Sequence, residues 1–350
     1  MALSQRDRCN TLWRRAQGII RKNVRLDHWR VGVIDAPIHA LLTADRIPPV
    51  RWLNELTRGE FLADPFGIIH DGRLTLLCES FDYRTARGTI TSIDGPAECR
   101  VRRERVLIGP NVHLSYPYLV EHEGGVFCIP ETHEAREIGL YRADPFPRRW
   151  LKIAILVAGF AGVDATVFRH EGRWWLACTD ADHEPNRDLH LWYAADLLGP
   201  WQPHAGNPVK RDLRSARPAG TPFVHEGCLY RPAQDCSRVY GGQVVINRVT
   251  RLSPTEFQEE PAAVIDPLML GGAPNGVHTI SAVGPLTLVD ARWSMFVPRV
   301  LARVIIDTLA GRAPRPAARR TVSMIDERAP TQTARMGRRD PRPLTFTDSE

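Results

Sequence analysis

The feature that most limits what this chain can fold into is a stretch of sequence that returns five times. ADPFGIIHDGRLTLLCES from Ala63, SYPYLVEHEGGVFCIPET from Ser115, VDATVFRHEGRWWLACTD from Val163 and AGTPFVHEGCLYRPAQD from Ala219 align with one another, and GVHTISAVGPLTLVDAR from Gly276 is a weaker fifth copy. Each copy reads as an apolar strand, a tight turn at glycine and a second strand, with the glycines at Gly72, Gly124, Gly172, Gly227 and Gly284. His-Glu-Gly or His-Asp-Gly at four of these turns supplies the positive backbone angle that a two-residue hairpin needs. The glycines are separated by 52, 48, 55 and 57 residues, room for four short strands and their turns. Sheets of that size repeated along a chain close radially around a channel, so the expected fold is all-β, a five-bladed β-propeller.

The fifth unit, from about Gly276 to Asp307, is short for four strands. The β-prone segment Trp29–Ile34 precedes the first repeat and is expected to supply a missing strand, closing the ring. This divides the chain into a basic N-terminal helical arm over 1–26, a propeller over 27–310 and an Arg/Pro-rich tail over 311–350 that is too poor in apolar residues to build a core and is expected to be disordered.

The net charge of +6 suggests a nucleic-acid partner until it is located. Residues 1–26 hold seven bases against Asp7, and residues 311–350 hold nine arginines against five acids, so the ends carry +6 and +4 and the middle is left at −4. An acidic body is a poor phosphate binder, which argues against nucleic acid as the main partner. The basic arms remain suited to an anionic membrane surface or a partner protein. Seven cysteines form no CxxC pair and no cluster at zinc spacing. The first twenty residues have no apolar run ahead of a cleavage site, and the most apolar stretch, Ile153–Val163, is far shorter than the roughly 20 residues of a membrane helix. These features predict a reduced, cytoplasmic chain with no transmembrane segment.

In a propeller the first strand of each blade lines the channel, so the residues that open the repeats should meet there. They are Asp64, Tyr116, Asp164, the segment around Arg217, and His278. Two carboxylates, an aromatic ring, an arginine and a histidine make a plausible sugar pocket, because a polyol needs acceptors, donors and a stacking face together. A second ring closes the second strands with Glu79, Glu131, Asp180 and Asp235. Glu79 and Glu131 stand seven residues past their turn glycine and Asp180 and Asp235 eight, so alternation points the two pairs to opposite faces, one to the channel and one to structure. Glu131 ends a short apolar strand, which suits a desolvated acid with a raised pKa. Trp174-Trp175 could offer a stacking platform, although neighbouring indoles on a strand face opposite ways and core packing is the simpler expectation. Arg217 and Arg231 could clamp a phosphate or carboxylate, or pair between blades. Gly271-Gly272 does not sit between a strand and a helix, so no dinucleotide fingerprint is supported and no cofactor is predicted.

This layout resembles the five-bladed propeller superfamily of glycoside hydrolase families 43, 62, 32 and 68. ADPFGI places Asp64 where the resemblance implies a general base or nucleophile; VDATVF places Asp164 where it implies a residue that tunes the acid and holds substrate. His278 in GVHTI looks like the blade-five histidine near the axis, which the resemblance sets beside a water or metal ion, and LGPWQPHAGNPV looks like a blade-ending phrase. HLSYPYLVEHEGGVFCIPET, LYRADPFPRRW and RPAGTPFVHEGCLYRPAQDCS are similar to the N-terminal propeller domain of glucosamine inositolphosphorylceramide transferases and related bacterial proteins, over roughly residues 28–305. In those plant proteins a separate domain carries the transfer. One departure matters: blade four opens with Ser215-Ala216-Arg217-Pro218-Ala219, where family 43 has its glutamate general acid.

Hydrolysis ordinarily needs two carboxyl groups flanking the bond, so a proton donor would have to come from Glu131 or Asp235. Three functions stay open. In a glycosidase, Asp64 is base or nucleophile, Asp164 positions substrate, Glu131 donates the proton, Arg217 and His278 orient hydroxyls, and Tyr116 and Asp235 help bind the sugar. In a non-catalytic module, the funnel binds a carbohydrate or glycoconjugate and serves a partner glycosyltransferase. In a propeller-framed glycosyltransferase or phosphorylase, the arginines hold phosphate.

Overall fold

The computed structural model describes residues 25–296, apart from 44–46, 54–58, 71 and 96–101. Residues 1–24 of the expected basic arm, the Arg/Pro-rich tail, Cys9 and Cys99 lie outside the described residues, and the last two residues assigned to the arm, Arg25 and Leu26, instead begin the first strand.

Two-residue turns fix the register of the inner hairpins. Glu123-Gly124, Glu171-Gly172 and Glu226-Gly227 have both residues at positive φ, the type I′ geometry whose twist matches that of the flanking strands. The fifth hairpin turns at Gly284-Pro285 with only the glycine at positive φ, as a type II′ turn requires.

The chain opens with β1 (Arg25–Ile34) and β2 (Val50–Trp52), joined through a short 3-10 helix at Ile38–Leu42. Blade one is β3 (Glu60–His70), β4 (Arg73–Asp82), β5 (Arg87–Asp94) and β6 (Arg102–Arg105). Blade two is β7 (Ser115–His122), β8 (Gly125–Glu131), β9 (Glu137–Ala143) and β10 (Trp150–Ala158). Blade three is β11 (Gly162–His170), β12 (Arg173–Asp180), β13 (Asp188–Ala194) and β14 (Gln202–Pro203), with β15 (Lys210–Arg211) also pairing β13. Blade four is β16 (Phe223–His225), β17 (Cys228–Asp235), β18 (Gln243–Leu252) and β19 (Phe257–Ile265). Blade five begins with β20 (Ile280–Val283) and β21 (Leu286–Phe296) and is completed by β1 and β2, in the order β2-β1-β21-β20. The N-terminal segment therefore lends two strands where one was expected. The first of them pairs with β21 over ten residues, from Arg25 opposite Phe296 to Ile34 opposite Thr287.

Five of the six apolar clusters fill the seams between neighbouring blades, one each, and the sixth, Trp29 with Phe61, Ala63 and Phe81, lies between blades five and one near the axis. Tyr118, Ile129 and Leu140 meet Val167, Leu176 and Trp192 between blades two and three, while Leu77, Ile90 and Val106 meet Leu114, Cys128 and Trp150 between one and two. Matching clusters fill the seams three to four, four to five and five to one. A sheet sandwiched between two others is apolar on both faces, which is why β4, β8 and β12 read as continuous hydrophobic runs. Trp174 and Trp175 show the consequence: alternation sends one indole into the seam with blade two and the other into the seam with blade four, and both are core.

Candidate functional site

Three of the openers share an unusual backbone. Asp64, Tyr116 and Asp164 have φ of 50°, 42° and 52°, the left-handed region that non-glycine residues avoid. Each sits in a β-bulge, between Ala63 and Phe66, Ser115 and Tyr118, and Val163 and Thr166. Such a conformation persists only where its surroundings enforce it. Here a carboxylate from the preceding blade catches each freed N–H: Asp64 donates to Asp290 at 2.9 Å, Tyr116 to Asp64 at 3.2 Å, and Asp164 to Glu131 at 3.1 Å. The chain of clasps runs from blade five to blade three and ends at blade four, where Arg217 Nε and Gln234 Nε2 donate to one oxygen of Asp164 at 2.6 and 2.8 Å. Across the ring, the Tyr116 hydroxyl accepts the Gly220 N–H at 2.7 Å and shares a hydrogen bond with Thr166.

The openers predicted to converge do so. Asp64, Tyr116, Asp164, Arg217, His278 and Glu131 are all buried and linked through this network. Asp64 accepts from the Thr279 hydroxyl at 2.8 Å, and His278 Nδ1 lies 2.7 Å from Asp290 and 3.7 Å from Asp64. The expected division of the second ring also holds. Glu79 and Glu131 turn toward the axial cluster, whereas Asp180 caps its own loop through Asp182 and His183. Asp235 does the same through the Ser237 N–H and Gln243, so it does not join the cluster as a substrate-binding residue. Its neighbour Gln234, seven residues past Gly227, takes the inward place. Arg231 is spent on structure: it donates to Glu259 and to the carbonyls of Ser215 and Ala216, holding the blade-four opener in position.

Burial and pairing then sort the acids. Glu131 does not have the raised pKa expected of a proton donor. Burial pushes it up, but a 2.8 Å bond from His133 and the charges of His133 and Arg217 outweigh this and hold it at about 2. Glu79 behaves in the opposite way, because burial and four neighbouring carboxylates raise its pKa well above the ordinary range. Its neighbour His113 accepts the Gly88 N–H on Nδ1, which leaves Nε2 as the protonated nitrogen facing Glu79 at 3.5 Å, and burial lowers the imidazole pKa. Burial raises Asp64, and raises Asp164 to about 7 even though Arg217 beside it pulls the other way. Burial opposes the charge on His278, but Asp290 and Asp64 beside it raise its pKa.

One end of the axis is rimmed with rings. Trp29 stacks on His278 at 3.8 Å between centroids, Tyr240 meets His278 edge-on, and Arg217 lies over the Tyr240 ring. Phe61, Phe81 and Tyr83 pack as a second group, with His113 against Phe81. Sequence reasoning missed Asp290, Gln234, His113, His133, Tyr240 and the part played by Trp29. Counting seven residues from each turn glycine finds Gln234; no local pattern marks the others.

Asp64, His278 and Asp290 present ligand atoms within 4.8 Å of one another and could hold a cation near the position expected for one beside His278. Each of these side chains also has protein partners, the Thr279 hydroxyl on Asp64 and, on Asp290, the backbone N–H groups of Asp64, His278 and Thr279 together with His278 Nδ1.

Comparison with known proteins places residues 52–268 on the family model described as "Glucosamine inositolphosphorylceramide transferase 1, N-terminal". Glucosamine inositolphosphorylceramide transferase 1 of Oryza sativa subsp. japonica is 34% identical over 209 residues, which is 57% of this chain and 28% of the rice protein. The protein of the same name from Arabidopsis thaliana is 34% identical over 207 residues, 57% of this chain and 27% of its own. The chain thus spans less than a third of the length of these relatives. Among solved structures, a family 117 glycoside hydrolase of Zobellia galactanivorans superposes with a TM-score of 0.50 at 13% identity, covering 77% of this chain and 91% of that one, a likeness of fold. Among the described residues no helix is long and apolar enough to cross a membrane.

Proposed function

The chain belongs to the family of the N-terminal domain of glucosamine inositolphosphorylceramide transferases, and from that premise we propose that its propeller binds a sugar or glycoconjugate at the ring-rimmed end of its axis without hydrolysing it, in the service of glycosyl transfer. The observation that carries this reading is the 2.6 Å ion pair between Arg217 and Asp164. Arg217 stands at the blade-four opening, where a two-carboxylate hydrolase needs its proton donor, and a guanidinium beside a carboxylate stays protonated and cannot deliver a proton. Asp64, the position of a base or nucleophile, has both oxygens engaged by Tyr116 and Thr279.

The lining favours one class of ligand. Asp64, Glu79, Glu131, Asp164 and Asp290 gather around one arginine and the histidines, so acceptors dominate. That composition suits hydroxyls and an amine, as in the glucosamine that the relatives' name mentions, and disfavours a phosphate at the axis. Tyr240, only partly buried, offers a ring at that end, whereas Trp29 is buried against His278 and Arg292 and holds the histidine in place.

Titration calorimetry with glucosamine, glucose and inorganic phosphate tests the reading, run beside a turnover assay on aryl glycosides. The expected result is binding of glucosamine over glucose, none of phosphate, and no released phenol. Release of phenol that disappears in Asp64→Asn would overturn it. The hydrolytic alternative has one feature in its favour: burial and the neighbouring carboxylates, Asp64 first among them, raise the Glu79 carboxyl well above the ordinary range. Under that alternative Glu79→Gln, and not a change at Arg217, abolishes turnover.

A further inference from the structure

The outer strands of the blades are not alike. An exposed sheet edge invites pairing with another chain, and proteins blunt it with charge, proline or brevity. β6 reads Arg-Arg-Glu-Arg, β2 is three residues long, β14 and β15 are two each, and β19 carries Glu260 and Pro261. β10 reads Trp-Leu-Lys-Ile-Ala-Ile-Leu-Val-Ala. Leu151, Ile153 and Ile155 on it are 46%, 43% and 49% exposed, and Leu107, bridged to the residue just before the strand, is 65% exposed. Four of the eleven exposed large hydrophobics among the described residues therefore lie together along one edge of blade two.

Bases surround this stripe. Arg148 pairs with Glu104, Arg149 with Asp144 and Lys152 with Glu137, which leaves Arg105 and Arg142 without an acidic partner among the described residues. Arg87, Arg105 and Arg149 line a groove between blades one and two together with Leu107, Pro110, Val112 and Leu151, with a volume of about 430 Å³. Apolar side chains rimmed by unneutralised arginines match a bilayer surface, where aliphatics enter the boundary of the acyl chains and bases meet anionic headgroups. A second copy of the chain fits less well. Two register shifts, at Lys152/Ala154 and Ile155/Val157, break the row of N–H and C=O groups that strand addition would use.

We infer that the edge formed by Leu107 and β10, with Arg105 and Arg142, docks this propeller on an anionic membrane surface. The inference does not depend on what the axial site binds. The test is sedimentation of the full chain with vesicles of phosphatidylcholine alone, or with phosphatidylserine at about a third of the lipid. Two variants are compared, Leu151→Ser/Ile153→Ser/Ile155→Ser and Arg105→Glu/Arg142→Glu, with Arg248→Glu/Arg251→Glu on blade four as the control for net charge. The expected outcome is sedimentation of the unaltered chain with the anionic vesicles, weakened about tenfold by each test variant and little changed by the control. Equal binding by all forms would assign the membrane contact to the basic termini and overturn the inference. So would an oligomer that dissociates in the serine variant while vesicle binding stays the same. Thermal melting confirms that each variant is folded; should the serine triple unfold, the arginine pair and its control decide alone.

Discussion

Two glutamates at equivalent positions, Glu79 and Glu131, show how far the neighbourhood of a residue decides its chemistry. Each stands seven residues past the turn glycine on the second strand of its blade, and each has a histidine partner from outside the strands. Glu131 and His133 form an ion pair, because their 2.8 Å bond lowers the acid to about 2 and raises the base. Glu79 and His113 are both driven toward neutrality by burial. The pH dependences follow with opposite signs. Glu131 stabilises the fold above its unfolded pKa, near 4.5, and that contribution disappears as pH falls toward 2; the His133 contribution is complete below its unfolded pKa, near 6.5, and is lost as pH rises through its raised value. Glu131→Gln should therefore destabilise by about 2–3 kcal/mol, most clearly between these two values, as it removes a charged hydrogen bond. For Glu79 the raised pKa means that stability is complete below about 4.5 and is lost as pH rises through the folded value. Glu79→Gln cannot ionise, so its melting temperature should match the unaltered chain near pH 5 and exceed it near pH 8. Melting curves at both pH values check the pair, and a loss for both variants at pH 8 would contradict the assignment.

At the scale of the element, much was legible because it is local. The type I′ turns announce themselves as His-Glu-Gly, the blade size follows from the spacing of their glycines, and the opposite orientation of positions seven and eight follows from alternation alone. Asp290 was not legible, since its meaning depends on the N–H of Asp64, 226 residues away, and on a bulge that no residue pattern marks. His113 and His133 sit beyond strand ends, where periodicity stops. Gly220 lies between these cases. It appears in the fourth repeat as an unremarked residue, yet a Cβ there would stand 1.7 Å from the Ile280 carbonyl oxygen, at a φ of 119°. It is the place where the innermost segments of blades four and five touch, and the Gly220 N–H also ties down Tyr116. Gly220→Ala should cost about 3 kcal/mol or more, by overlap with backbone that cannot move aside. Gly172→Ala in the blade-three turn meets open space and should cost about 1–2 kcal/mol, the left-handed backbone penalty alone. Chemical denaturation of the two variants measures the difference, and equal losses would show that the seam between blades four and five can open to admit a methyl group.

For the whole molecule the decisive fact is that no blade owns a core. Each apolar cluster is shared between two neighbours, and the last seam closes only because β1, from the start of the chain, completes blade five. A linear array of similar units would unfold from its ends, since a terminal unit has one neighbour. A closed ring has no terminal unit, and the polar clasps from Asp290 through Asp64 and Glu131 to Asp164 and Arg217 link the blades a second time at the axis. Opening a seam exposes both of its faces and, in four of the five, removes a clasp, while between blades four and five it breaks the Gly220–Ile280 bridge, so the loss is felt around the ring. Substitutions in widely separated seams should accordingly lower one and the same transition. Leu140→Ala, between blades two and three, and Val289→Ala, between four and five, each leave a cavity at a fully buried position, and the first should cost about 2–5 kcal/mol. Scanning calorimetry of both variants should show a single peak shifted to lower temperature, with the calorimetric enthalpy equal to the van't Hoff value. If either variant instead splits off an early transition of about one blade's enthalpy, the blades are energetically separable, and the strand lent by the N-terminal segment closes the ring in shape without coupling it.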